Sequence, residues 1–160
     1  MRRILTASVA GVAVVLGLAV GQARSNAQTP QSHVINPADM KWGPAPPGLP
    51  PGGELTVLSG DPGKPGPFTI AVKFGDGYTI RPHWHPTDEN VSVVTGSLLV
   101  GMGDKYNEAS MKPLLAGGFA QLPAKNPHFV KAKGATTLMI SSTGPFEITY
   151  VDPKDDPRKK

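Results

Sequence analysis

The feature that most constrains the fold is a succession of short apolar runs over residues 54–151, broken by turns rich in glycine, proline and aspartate. In residues 68–74, apolar side chains alternate with Thr69, Ala71 and Lys73, which predicts a strand with one buried face. No helical period is evident there beyond a single turn near residues 107–112. Many short strands of this kind pack as a sandwich or a barrel, so we expect an all-β protein.

Eight strands are predicted between these turns. The turns contain motifs such as Gly75-Asp76-Gly77 and Gly117-Gly118, which favour tight reversals of the chain. A short echo, Gly66-Pro67-Phe68 and Gly144-Pro145-Phe146, precedes two of the strands and is interpreted as repeated turn chemistry. The predicted strands are residues 54–58, 68–74, 78–82, 91–100, 119–122, 129–133, 136–142 and 146–151.

The first 27 residues are predicted to be a secretory signal peptide. Arg2 and Arg3 precede an apolar run over residues 4–20, and small residues then offer two cleavage points, after Ala23 or after Ala27. A retained membrane anchor is the alternative, but an apolar run of 17 residues is short for a spanning helix. We therefore expect a periplasmic or secreted protein that has no membrane contact once the signal is removed.

Charge and cysteine content exclude two classes of protein. The sequence has 16 basic and 12 acidic side chains, but three of the basic ones, Arg2, Arg3 and Arg24, lie in the signal. The mature chain would therefore carry 13 basic and 12 acidic groups, and its lack of a basic patch argues against a nucleic-acid partner. Because the chain has no cysteine, disulfides cannot stabilise it, and a packed core must do so.

The mature chain divides into three segments. Residues 28–53 form an extended arm that is richest in Pro and Gly over residues 41–53. Trp42 and Leu49 are the large apolar groups of residues 41–53, and they are expected to pin the arm onto the barrel or onto a second subunit. Residues 54–151 form the barrel domain, and residues 152–160 form a charged tail that is expected to be frayed. A homodimer is compatible with this organisation and is left open.

Four residues of the barrel domain are candidate metal ligands. His83 and His85 are two residues apart, so on a strand both side chains point to one face; Glu89 and His128 follow. Three neutral imidazoles and one carboxylate suit a divalent transition metal (Fe, Mn, Zn, Ni or Cu) and leave positions open for a small-molecule ligand or substrate. Taken alone, His83 and His85 are explained equally well as a surface or structural histidine pair that binds no metal. Asp88 is an alternative to Glu89 as the carboxylate ligand.

The spacing around these residues resembles the two sequence motifs of the cupin superfamily. Gly77, five residues, His83-Trp84-His85, three residues, Glu89, six residues and Gly96 match the first motif; Gly117, five residues, Pro123 and His128 match the second. The resemblance spans about 80 residues and implies a cupin fold, the double-stranded β-helix or jelly-roll barrel. It also implies that His83, His85, Glu89 and His128 bind one metal ion.

Two positions depart from the second motif. Lys125 stands where the family usually has glycine, which predicts a turn without a positive φ angle. Ala132 stands where asparagine is usual, and it should face inward because it shares the parity of His128. Neither position binds the metal in the family.

A finer resemblance bears on function. Gly60-Asp61-Pro62, Gly66-Pro67-Phe68, His83 to Glu89 and Asp155-Asp156-Pro157-Arg158 resemble a group of exported bacterial cupins, related to the cupins of zinc anti-sigma factors and to small aromatic-ketone dioxygenases. This implies a metal-dependent oxidoreductase that cleaves a small ketone or phenol, with Glu89 as a ligand that also moves a proton. The alternatives are a metal-dependent binding or sensing module without turnover, and a barrel whose metal is purely structural.

Overall fold

The computed structural model describes residues 32–160, and Val34–Lys160 forms one compact unit. The predicted signal peptide, residues 1–27, lies outside the described residues. Within residues 32–160 no helix is long and apolar enough to cross a membrane. The helical elements described are three-residue 3-10 turns at Pro37–Asp39, Glu108–Ser110, Pro153–Asp155 and Pro157–Lys159.

The described residues are dominated by antiparallel strands. The two longest strands contain 14 and 17 residues, whereas the first and the last contain two residues each. In chain order the nine strands of this part of the chain are β1 (Gly43–Pro44), β2 (Glu54–Ser59), β3 (Gly66–Phe74), β4 (Thr79–Trp84), β5 (Glu89–Met102), β6 (Lys112–Leu115), β7 (Phe119–Leu122), β8 (His128–Gly144) and β9 (Thr149–Tyr150).

The two long strands connect two halves of a curled sheet. The second half of β8 lies between β3 and the first half of β5, which also pairs with β7. The first half of β8 lies between β4 and the second half of β5, which also pairs with β6. Because β5 and β8 pass from one half to the other, the sheet wraps around a common core instead of remaining flat.

Strands β5 and β8 both bend near their middle, at Gly96 in β5 and at Gly134 and Thr136 in β8. Gly96 in β5 has a φ angle of +78°, and a Cβ there would collide with the backbone of Ala135, so glycine is required. Gly134 in β8 has a φ angle of +75°. The Thr136 hydroxyl donates to the Ser97 carbonyl at 3.0 Å and holds the two bends together. The pairing register between β5 and β8 shifts at this point, as in a β-bulge.

The core consists of inward-facing aliphatic and aromatic side chains from both halves of the sheet. Val72, Leu98, Ala132 and Leu138 belong to this core and are each at most 2% exposed. The inward orientation predicted for Ala132 is therefore confirmed. Burial of these groups supplies the main stabilising free energy of a chain without disulfides.

Several predicted element boundaries are wrong. Residues 129–133 and 136–142 were predicted as two strands but belong to the single strand β8, because Gly134 forms a bulge and not a chain reversal. The short strands β1 and β6 were not predicted, since each carries a proline that reads as a turn. The strand predicted over residues 146–151 is reduced to β9. The predicted turn near residues 107–112 is present as the 3-10 turn Glu108–Ser110.

The Pro/Gly-rich arm packs on the barrel, as predicted. Its strand β1 pairs with β2, and Leu49 packs against the core. The Lys73 ammonium lies 3.9 Å from the centre of the Trp42 ring, a cation–π contact. These contacts come from the described part of the arm, which begins at residue 32.

Two expectations about loops are corrected. The tail is not frayed: Asp156 is 6% exposed, and Arg158 donates to its carboxylate and to the Ile148 carbonyl. Lys125 has a positive φ angle of 59°, contrary to the prediction. Its N–H donates to the His85 carbonyl at 2.8 Å, and this bond compensates for the strain of a left-handed residue with a side chain.

Candidate metal centre

Three histidines converge at one end of the curled sheet. His83 is on β4, His85 follows the end of that strand, and His128 begins β8. His83 and His128 are direct register partners, and their ring centres are 4.3 Å apart. Each ring offers one nitrogen to the group, and these nitrogens all lie within 4.8 Å of one another. Such a group could hold a metal ion.

Backbone carbonyls determine which nitrogen of each ring carries the proton. The Nδ1 atom of His83 lies 2.8 Å from the Arg81 carbonyl, and that of His85 lies 2.6 Å from the Glu147 carbonyl. His128 Nδ1 lies 3.1 Å from the Asn126 carbonyl. Because a carbonyl oxygen can only accept, each Nδ1 must donate a proton, and Nε2 of each neutral ring keeps a free lone pair.

Glu89 contributes a carboxylate to the same group. Its Oε2 atom is 3.3 Å from His128 Nε2 and 3.6 Å from His85 Nε2, and the residue is 6% exposed. The contact with His128 does not have hydrogen-bond geometry. Among the described residues, the buried His128 Nε2 therefore has no hydrogen-bond partner. A buried nitrogen left in this way is normally paired or bound to an ion.

The protonation states also suit a metal. Burial, helped by the neighbouring His128 and His85 rings, lowers the pKa of His83 from 6.5 to about 3. Burial likewise lowers the pKa of His85. For Glu89, burial alone would raise the pKa, but the neighbouring His128 and His85 outweigh it and lower the pKa. Neutral imidazoles beside an ionised carboxylate are the donor set that first-row divalent metals take. The residues present therefore fit a metal ion.

Phe146 supports the group from one side. Its ring stacks on His85 with centres 4.1 Å apart and planes at 11°, while the carbonyl of the next residue, Glu147, accepts from the same histidine. The Phe146 ring also lies 5.1 Å from that of Phe68. Its role at the site was not predicted, because the echoed Gly-Pro-Phe segments were interpreted as turn chemistry alone.

The group opens onto a cavity of about 260 Å³ inside the barrel. Apart from the three histidines and Glu89, the lining residues within the described range 32–160 include no titratable side chain and are almost entirely apolar. Leu49 from the arm and the Pro62-Gly63 turn also line it, and neither contribution was predicted. The walls include Leu55, Ile70, Val72, Phe74, Ile80, Val91, Leu98, Leu122, Val130, Leu138, Ile140, Phe146 and Ile148.

The structure places Asp88, the alternative to Glu89 as ligand, outside the cavity lining. Asp88 is exposed, and its carboxylate accepts from the Ala124 N–H at 2.8 Å, so it supports a loop instead of joining the histidines. Tyr78 lies outside the lining and stacks on Phe74 with ring centres 4.3 Å apart. Met102, Tyr106 and Phe129 also lie outside it.

No protein-family model matches the sequence, and no curated protein matches it. Several solved structures are similar to this chain in fold. The polyketide cyclase RemF from Streptomyces resistomycificus is similar with a TM-score of 0.65 at 16% identity, over 81% of this chain and 92% of RemF. An RmlC-like cupin from Shewanella frigidimarina NCIMB 400 is similar with a TM-score of 0.54 at 17% identity, over 71% of this chain and 91% of its own. This chain has the cupin fold.

A third structure of similar fold comes from Methylibium petroleiphilum PM1, a protein to which an acetylacetone dioxygenase activity has been attributed. Its TM-score is 0.62 at 20% identity, over 81% of this chain and 87% of that protein. At such identities the similarity establishes the fold, and the predicted all-β jelly-roll barrel is confirmed. Solved structures similar to this chain include proteins named as a dioxygenase, a cyclase and lyases, so the chemistry of this chain must be argued from its own site.

Proposed function

We propose that this cupin binds one divalent transition metal through His83, His85, Glu89 and His128 and uses it in a dioxygenase-like cleavage of a small ketone or phenol. The observation that carries the proposal is the convergence of three histidine ring nitrogens, with a carboxylate beside them, on an otherwise apolar cavity. A bound metal of this kind would polarise an oxygen of the substrate and, if redox-active, support reaction with dioxygen. The donor set accommodates Fe, Mn, Zn, Ni or Cu.

The cavity indicates the kind of substrate. At about 260 Å³ it is at the small end of ligand pockets, so the ligand must be small. A charged ligand group away from the metal site would be buried without a partner, because the described part of the chain places no charged side chain on the walls there. A small ketone or phenol, with one or two oxygens and a largely apolar remainder, meets both conditions. The activity attributed to the Methylibium protein agrees with this class.

Each residue of the site has a role in this proposal. The three histidines hold the metal, and their backbone hydrogen bonds keep the rings oriented. The Glu89 carboxylate is a fourth ligand, and its Oε2 can accept a proton from a ketone's α-carbon or a phenol hydroxyl. The apolar walls exclude water from the reacting group.

Binding without turnover is a second candidate, because Glu89 is the lone carboxylate among the lining residues that the structure describes. Elemental analysis of native protein, followed by oxygen-consumption assays with acetylacetone and simple phenols, separates the two. Metal-dependent oxygen uptake with at least one compound is expected. Metal-loaded protein that binds these compounds but never consumes oxygen would instead establish the binding function.

We also propose that the mature protein acts in the periplasm or is secreted. The support is the order of charged, apolar and small residues over residues 1–27. N-terminal sequencing of protein from the cell envelope should find a chain that begins at Arg24 or Gln28. Native material that retains Met1 would contradict this proposal.

A further inference from the structure

Leu49 is fixed at the cavity by bonds to the backbone on both sides of it. The Tyr150 hydroxyl donates to the Gly48 carbonyl at 2.9 Å, and the Tyr78 hydroxyl donates to the Pro50 carbonyl. The Leu49 N–H donates to the Pro46 carbonyl at 2.9 Å, which closes a turn. The arm is thus tied to the barrel on either side of one apolar side chain.

The two tyrosines are themselves held firmly. Tyr150 is 6% exposed, and Tyr78 stacks on Phe74 with ring planes at 7°. Gly48 passes so close to the barrel that a Cβ there would lie 2.8 Å from Ile148 Cγ2. These contacts hold the backbone of Leu49 at the cavity, so the arm cannot carry this residue away without breaking them.

Leu49 lines the same cavity as the histidines and packs against the buried core. It comes from the arm, whereas the core side chains around it come mainly from the strands of the barrel. A change at Leu49 can therefore alter the volume open to a ligand without removing a metal ligand or a strand contact.

We propose that Leu49 is a specificity-determining residue that limits the length of the apolar group a ligand can carry beside the metal centre. This inference rests on the proposed function, since it assumes that the cavity takes a small metal-binding ketone or phenol. Removing most of the Leu49 side chain should open room for longer ligands, and enlarging it should exclude them.

The test uses metal-loaded full-length mature protein and three β-diketones of increasing chain length: acetylacetone, dipropionylmethane and dibutyrylmethane. Binding is measured by calorimetry. Leu49→Ala removes three side-chain carbons and should shift the affinity ratio of dibutyrylmethane to acetylacetone upward by about tenfold or more, since a single methylene in an apolar pocket is typically worth at least about tenfold. Leu49→Phe should shift the same ratio downward.

Leu115→Ala is the matched control, because Leu115 is 61% exposed on β6 and lies outside the cavity lining. It should keep the wild-type ratio, and all variants should keep wild-type metal content. If wild-type protein binds the diketones but both Leu49 variants keep its ratio, the specificity role is refuted while the proposed function stands. If metal-loaded wild type binds none of the three, the proposed function fails for this class, and the inference fails with it.

Discussion

Phe146 stacks on the ring of His85, with ring centres 4.1 Å apart and planes at 11°. The stacking orients a candidate metal ligand from the side, while the Glu147 carbonyl binds its Nδ1 proton. Phe146→Leu keeps an apolar group but loses the flat contact, so the His85 ring should become less well oriented. Supporting partners of metal ligands typically contribute 10-fold to 100-fold in affinity, and we expect metal affinity to fall about tenfold.

The measurement is a competition titration with a chelator of known affinity. Phe119→Leu serves as control, because Phe119 is 61% exposed and lies outside the cavity lining. Equal metal affinity in the two variants would show that Phe146 does no more than fill space.

The sequence predicted the candidate metal ligands but not the position of Phe146 beside them. The spacing of His83, His85, Glu89 and His128 was enough to group them, since strand parity and a motif place all four. By contrast, Phe146 and Leu49 reach the site through contacts between segments far apart in the chain, and no local period marks them.

The backbone conformations of Gly134 and Lys125 were also predicted wrongly from the sequence. Gly134 read as a turn but forms a bulge within β8, because β5 supplies a partner strand on both sides of it. Lys125 adopts a positive φ angle because its N–H bonds to the His85 carbonyl. In both cases tertiary pairing outweighs the local preference of the residue.

Glu89→Gln tests the proposed proton transfer. The substitution keeps the size and an oxygen donor but removes the charge and the base. If Glu89 accepts a proton from substrate, turnover should fall about 100-fold or more, with the fold intact. Asp88→Asn is the matched control: the neighbouring acid is exposed, and an amide oxygen can still accept from Ala124. A Glu89→Gln enzyme as fast as wild type would restrict Glu89 to metal ligation.

Gly101→Ala should destabilise the barrel. Gly101 lies on β5 opposite Phe129, and a Cβ there would collide with the Phe129 ring, which is fully buried. Overpacking of a core typically costs about 1–3 kcal/mol, and denaturant unfolding should show a loss of that size. Gly75→Ala, where a Cβ would meet open space, should change the free energy of unfolding far less. Similar losses for both would contradict this packing.

The tie between Tyr78 and the arm predicts an alkaline dependence of stability. Burial raises the pKa of Tyr78 from 10.0 to about 12. Tyr78 therefore ionises at a lower pH in the unfolded chain than in the folded one. The stabilisation that the neutral Tyr78 side chain gives the folded state is present below about pH 10 and is lost as the pH rises through about 12. The difference in unfolding free energy between wild type and Tyr78→Phe should shrink over that window. A difference that stays constant between pH 10 and pH 12 would contradict a raised pKa for Tyr78.

The metal content of the purified mature protein tests the central claim most directly. Because the proposal assigns four ligands to one site, elemental analysis should find about one divalent transition metal per chain. His83→Ala and His128→Ala should each abolish stoichiometric metal, whereas His33→Ala, which lies outside the group, should keep it. If both His83→Ala and His128→Ala retain full metal occupancy, the assigned metal centre is wrong.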